Sequence, residues 1–206
     1  MIQYIIEGLI FGTGLAVSLG PIFIALTQTS INKGVLPGLT VGSGIWVSDI
    51  LIVAIIYKFI SSIQINIESD DFRLWMGLSG ALILIGFGTY MVVRKPVIDY
   101  TEQKHNYKNY IGFWLKGFLV NAVNPFTFFF WMGVISTYII GRNISHTNAL
   151  VLLTTIIFVI VLSDMGKVLL ASFLKRRLTD RNIELVTNFS GIFLISFGLF
   201  MVYQVA

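Results

Sequence analysis

Six apolar stretches, at approximately residues 4–29, 37–58, 74–93, 112–138, 148–174 and 185–204, take up almost the whole chain. A bilayer core about 30 Å thick needs about 20 apolar residues in a helix that crosses it, and each stretch is close to that length. What lies between them is too short for a soluble domain. Only 12% of the 206 residues are charged and the mean hydropathy is +0.85, so a water-facing surface could not be covered with charge. The expected fold class is an all-α integral membrane protein with six transmembrane helices. The opening residues, MIQYIIEGL, have neither a basic start nor a small-residue cleavage site, and read as the first helix rather than a removable signal.

Orientation follows from the side on which Lys and Arg collect. Lys33, Arg94, Lys95, Lys104, Lys108, Lys116, Lys175, Arg176, Arg177 and Arg181 flank the turns after the first, third and fifth stretches. Only Lys58, Arg73 and Arg142 flank the other turns. The first group is expected in the cytoplasm, with both termini outside and the protein in the cytoplasmic (inner) membrane. There is no cysteine, which excludes disulfides, thiolate metal sites and thiol relays. No cofactor, metal or nucleic-acid partner is expected, and His105 and His146 fall in turns, where solvation is the expectation for a histidine.

The chain reads as though written twice. Ser79–Val93 (SGALILIGFGTYMVV) and Ser190–Tyr203 (SGIFLISFGLFMVY) share Ser-Gly, Phe-Gly and Met-Val in the same order. The first and fourth stretches each carry an internal proline, in Gly20-Pro21 and Asn124-Pro125, and the second and fifth each carry one acid, Asp49 and Asp164. Two three-helix repeats are expected, residues 1–95 and 112–206, joined by a polar cytoplasmic linker at 96–111. Three is odd, so the second repeat enters the membrane from the opposite side. Inverted repeats are a common plan of secondary transporters, whose sites lie near the midplane where helices are broken.

A proline within a helix has no N–H to donate and clashes with the carbonyl four residues before it. Pro21 thereby releases the carbonyl of Val17, and Pro125 that of Asn121. In hydrocarbon such groups are tolerated only against protein or a wet cavity, so Gly20, Pro21 and Pro125 are expected to shape one. A charged side chain at the bilayer centre costs about 3 kcal/mol and by default faces the interior. Asp49 shares a helix face with Gly42 and Trp46 by i, i+4, i+7 spacing. Asp164 has Lys167 three residues on, either as a simple ion partner or as a second polar group of a site. Asn121 and Asn124, also three apart, are expected at the second break as interhelical glue or substrate contacts. Thr27 and Gln28 are weaker candidates near the inner mouth. Glycines at Gly8/Gly12, Gly38/Gly42 and Gly77/Gly80 have the spacing of close helix contacts, and the run FTFFFW, Phe126–Trp131, is expected to be lipid- and core-facing bulk.

With those residues in view, the chain resembles the LysE/RhtB family of amino-acid exporters along essentially its whole length. The resemblance rests on SLGPIFIALTQTSINKGVLPGLTVGSGIWVSD, with its Gly-Pro, Lys33-Gly34 turn, glycine ladder and Asp49, and on KGFLVNAVNPFTFFFW, Lys116–Trp131. Where many members follow Asn-Pro with a basic residue and Ala, this chain has Phe126-Thr127. The resemblance implies export of amino acids or related metabolites, driven by protons or the membrane potential. An amino acid would place its ammonium on an acid and its carboxylate on a half-helix N-terminus or Lys167. Burial favours the neutral form of a carboxylic acid, which suits either aspartate to carry a coupling proton. A passive small-solute channel and a cation transporter on the same scaffold remain as alternatives, and a homodimer is compatible with all three.

Overall fold

The computed structural model describes residues 1–17, 20–63, 70–93, 110–173 and 180–205, and among these there are helices and no strand. The helices are α1 (Ile2–Val17), α2 (Pro21–Lys33), α3 (Val35–Ile63), α4 (Asp70–Val93), α5 (Tyr110–Ala122), α6 (Pro125–Gly133, continued by a π-helical stretch Val134–Ile140), α7 (His146–Phe173) and α8 (Asp180–Val205). Most of the linker, with Lys104 and His105, lies outside the described residues.

Both prolines end one helix and begin another instead of merely bending one. Pro21 and Pro125 each sit at the first position of a helix, where a missing N–H costs nothing and the fixed φ suits the start. The axes of α1 and α2 differ by 69°, and those of α5 and the α6 segment by 59°. Gly34 closes α2 with φ +95°, its N–H donating to the Ser30 carbonyl, a positive-φ conformation that glycine adopts without a Cβ penalty. Within α2 the hydroxyls of Thr27 and Ser30 donate back to the carbonyls of Phe23 and Leu26, at 2.7 and 2.6 Å. That self-satisfaction is how buried hydroxyls persist without water.

Two helices, over Val35–Phe59 and His146–Phe173, are each long and apolar enough to cross a bilayer, and each bent pair adds one more span if counted together. Leu78–Val93 and Thr187–Phe200 are shorter apolar stretches in α4 and α8. Side chains such as Leu51, Ile55, Leu162, Leu169, Phe173 and Phe200 are exposed on outer faces. A soluble monomer rarely exposes contiguous apolar surface of this kind; lipid covers it without cost.

The packing is made by small residues. α1 lies parallel to α7, with Gly8 against Thr155 and Gly12 against Val159, so close that a Cβ on either glycine would stand 2.7 Å from the facing Cβ. α5 lies against α3 in the same sense, with Gly117 on the Val41 carbonyl and Gly44 on the Trp114 carbonyl. α4 pairs with α8, Gly88 facing Gly191. One large apolar cluster, including Val53, Trp131, Ile135, Leu152 and Ile156, fills the region near the start of α7. A smaller one, Ala25, Leu26, Val41, Ile45 and Val168, fills the region near the start of α3. At the first end, Arg142 Nη1 pairs with Glu7 Oε1 at 3.3 Å and lies over the Tyr138 ring, and Tyr57 Oη is 3.0 Å from His146 Nδ1. His146 is exposed, as expected of a solvated histidine, but it is the first residue of α7 rather than part of a turn, and it has a tyrosine partner.

A candidate site at the two helix breaks

Between the two clusters lies a cavity of about 30 Å³. It is bounded by both helix breaks: Ala16, Gly20 and Ile22 on the first, Asn121, Asn124, Phe126 and Thr127 on the second. Its ionisable lining, among the described residues, is Asp49, Asp164 and Lys167. A volume of this size holds one or two water molecules and no amino acid.

Asp49 sits midway along α3 and is 2% exposed. Its Oδ1 accepts hydrogen bonds from Asn121 Nδ2 and Trp131 Nε1, both at 3.0 Å. Asn121 Nδ2 also donates to the Ile45 carbonyl at 3.1 Å, and its Oδ1 accepts from Thr127 Oγ1 at 3.0 Å. Every donor on this carboxylate is neutral, and Oδ2 accepts no hydrogen bond from another described residue. The chain reaches the arrangement through the close approach of Gly117 to α3, which brings Asn121, one turn further on, to Asp49.

Asp164, on α7 and 1% exposed, is held differently. Lys167 Nζ donates to Oδ1 at 2.9 Å, and Trp46 Nε1 to Oδ2 at 3.1 Å. An i, i+3 pair of opposite charge is a short-range partnership within one helix; here it lies at the cavity wall, with the Lys167 side chain 14% exposed. The Trp46 indole reaches Asp164 by lying across Gly42, where a Cβ would stand 3.0 Å from the ring. The two carboxylates thus occupy one cavity with unlike partners: one balanced by a cation, the other by dipoles alone.

The two breaks also end unlike each other. Asn124, 4% exposed, caps α6 by accepting from the Phe126 N–H at 3.1 Å. Gly20 precedes α2 and has no side chain with which to cap it. The carbonyl of Asn121, expected to be released by Pro125, is taken by the Asn124 N–H at 3.0 Å, so the second break carries no free carbonyl there.

Of the residues singled out from the sequence, Gly20, Asp49, Asn121, Asn124, Asp164 and Lys167 line the cavity. Pro21 and Pro125 set the helix starts beside it, while Gly42 and Trp46 stand one layer back and position Asp164. Trp46 engages that acid, on the neighbouring helix, and not Asp49 on its own. Of the run FTFFFW, Phe128 is exposed and Trp131 sits in the large apolar cluster, as expected of lipid- and core-facing bulk, but two of its residues do more. Thr127 and Trp131 are 1% and 0% exposed and belong to the Asp49 network. Their signal was the spacing: Asn124, Thr127 and Trp131 recur at i, i+3 and i+7, one face of a helix.

The family model described as LysE type translocator matches residues 13–205. A protein of Bacillus subtilis (strain 168) named "Putative amino acid efflux protein YcgF" is 24% identical over 199 residues, which cover 95% of this chain and 93% of its own. No solved structure matches the chain significantly. A match over nearly the whole length, on a bundle whose apolar faces suit lipid, makes this a multi-pass membrane protein that belongs to the LysE type translocator family.

Proposed function

We propose that the protein is a secondary transporter that exports amino acids or related small metabolites across the cytoplasmic membrane, coupled to protons or to the membrane potential. In this reading α1–α2, α3 and α4 form one repeat and α5–α6, α7 and α8 an inverted second one, six spans in all. The parallel contacts of α1 with α7 and of α5 with α3 support the repeat, being the same pairing made twice with the copies exchanged. The observation that carries the function is the cavity at both helix breaks, lined by Asp49, Asp164 and Lys167. Opposite charges at a membrane midplane suit a solute that carries both an ammonium and a carboxylate. The name of the Bacillus subtilis relative, with its amino acid efflux, points the same way.

The test is counterflow in proteoliposomes. Vesicles loaded with an unlabelled amino acid should transiently concentrate the same labelled amino acid from outside. A carrier does this and a passive channel cannot, so equilibration without overshoot for every amino acid tried would remove the proposal. The orientation has its own test, made simple by the absence of cysteine. A thiol at Lys104 should react with an impermeant maleimide only from the cytoplasm, and one at Asn143 only from outside; the reverse pattern would invert the assignment.

A further inference from the structure

Lys167 does more than line the cavity. It cancels one of the two buried negative charges, and it is the only basic group among the described lining residues. We infer that the Asp164–Lys167 pair sets the net charge of the solute this transporter accepts, an inference that rests on the transport reading above.

Asp164 has both oxygens occupied, one by Lys167 and one by Trp46. Asp49 has Oδ2 facing no described donor, with only Asn121 and Trp131 on Oδ1. With both acids ionised, the lining therefore carries one negative charge in excess, located at Asp49. The rest of the lining carries no charge: Asn121, Asn124 and Thr127 are neutral polar groups, and Leu15, Ile22, Ile45, Phe126 and Ile160 are apolar. Little in such a wall screens a charge, and the interaction between charges grows as the effective dielectric falls. Adding or deleting one unit charge at the pair should accordingly shift preference among solutes that differ by one unit charge. Removing the cation leaves two unbalanced carboxylates and favours solutes with an extra positive group. Removing the acid leaves Lys167 to balance Asp49 and disfavours them. Because the pair lies within one turn of α7, both changes act at one place and differ only in sign.

The experiment uses lysine and leucine as probes, one carrying a net positive charge and the other none. Their transport rates are measured as a ratio in proteoliposomes containing the full chain. Lys167→Met, close to the lysine in length, should raise the lysine-to-leucine ratio by about tenfold or more, equivalent to about 1.4 kcal/mol of discrimination. Asp164→Asn should lower the ratio, and the double variant should return toward the original value. Lys167→Arg, which keeps the charge, should leave the ratio within about threefold. A merely structural pair would slow both probes together and leave the ratio unmoved. Ratios that shift in the same direction in Lys167→Met and Asp164→Asn, or in neither, overturn the inference. If Lys167→Met does not reach the membrane, the Asp164→Asn and double variants still decide it. If the unsubstituted protein carries no amino acid in the counterflow panel, the transport reading itself has failed, which is a separate result.

Discussion

Asp49→Asn is expected to reduce transport by about a hundredfold while the protein remains folded in the membrane. Asparagine is nearly isosteric with aspartate, and its amide oxygen can still accept from Asn121 and Trp131, the two donors that now lie 3.0 Å from Oδ1. What disappears is the negative charge and the acceptor at Oδ2, replaced by an N–H₂ group that repels an ammonium. A hydrogen bond to a charged group contributes about 1.5–3 kcal/mol; at about 1.4 kcal/mol per decade, the upper part of that range corresponds to the expected loss. Asp49→Ala is the contrasting variant. It strands two buried N–H donors, at about 1–3 kcal/mol each, so it should lose thermal stability as well as activity. The pair of variants separates charge from architecture. Transport by purified Asp49→Asn within about twofold of the unsubstituted rate would remove Asp49 from the site.

The difference between the two acids was only half legible in the sequence. Isolated carboxylates in apolar runs must face inward, and Asp49 and Asp164 both do, at 2% and 1% exposure. The Lys167 partner was legible too, because an i, i+3 contact is fixed by the helix alone. Trp131 was not. It lies 82 residues from Asp49, and although its spacing from Asn124 and Thr127 puts it on their helix face, nothing in the sequence says that this face meets Asp49. The partner of Trp46 was hidden for the same reason: it lies 118 residues away, on a helix whose rotation the sequence does not specify. Prolines marked both breaks, yet their consequences differ. Asn124 can cap the new helix and Gly20 cannot, a distinction that was readable from side-chain chemistry but not the fate of the Asn121 carbonyl, which depends on how the chain turns.

Gly117→Val is expected to be the most damaging substitution outside the cavity. A Cβ at Gly117 would fall on the Val41 carbonyl oxygen, and the reciprocal contact puts Gly44 on the Trp114 carbonyl. Neither obstacle is a side chain that could swing aside. α5 must therefore move off α3, and Asn121 lies one turn along the same helix with its hydrogen bond to Asp49 already at 3.0 Å. A retreat of even half an ångström takes that bond to the limit of useful geometry and leaves the Asp49 carboxylate with Trp131 alone. Overpacking of this kind costs about 1–3 kcal/mol and occasionally more, and chains of this size lose about 2–4 °C of melting temperature per kcal/mol. A fall of about 5–10 °C in detergent is expected, with transport reduced further than stability because the site is displaced as well as weakened. Gly86→Val provides the control: a Cβ there meets nothing within 4 Å, and the same added volume should be absorbed without change. Equal melting temperatures for Gly117→Val and Gly86→Val would mean that the α3–α5 contact does not hold Asn121 against Asp49.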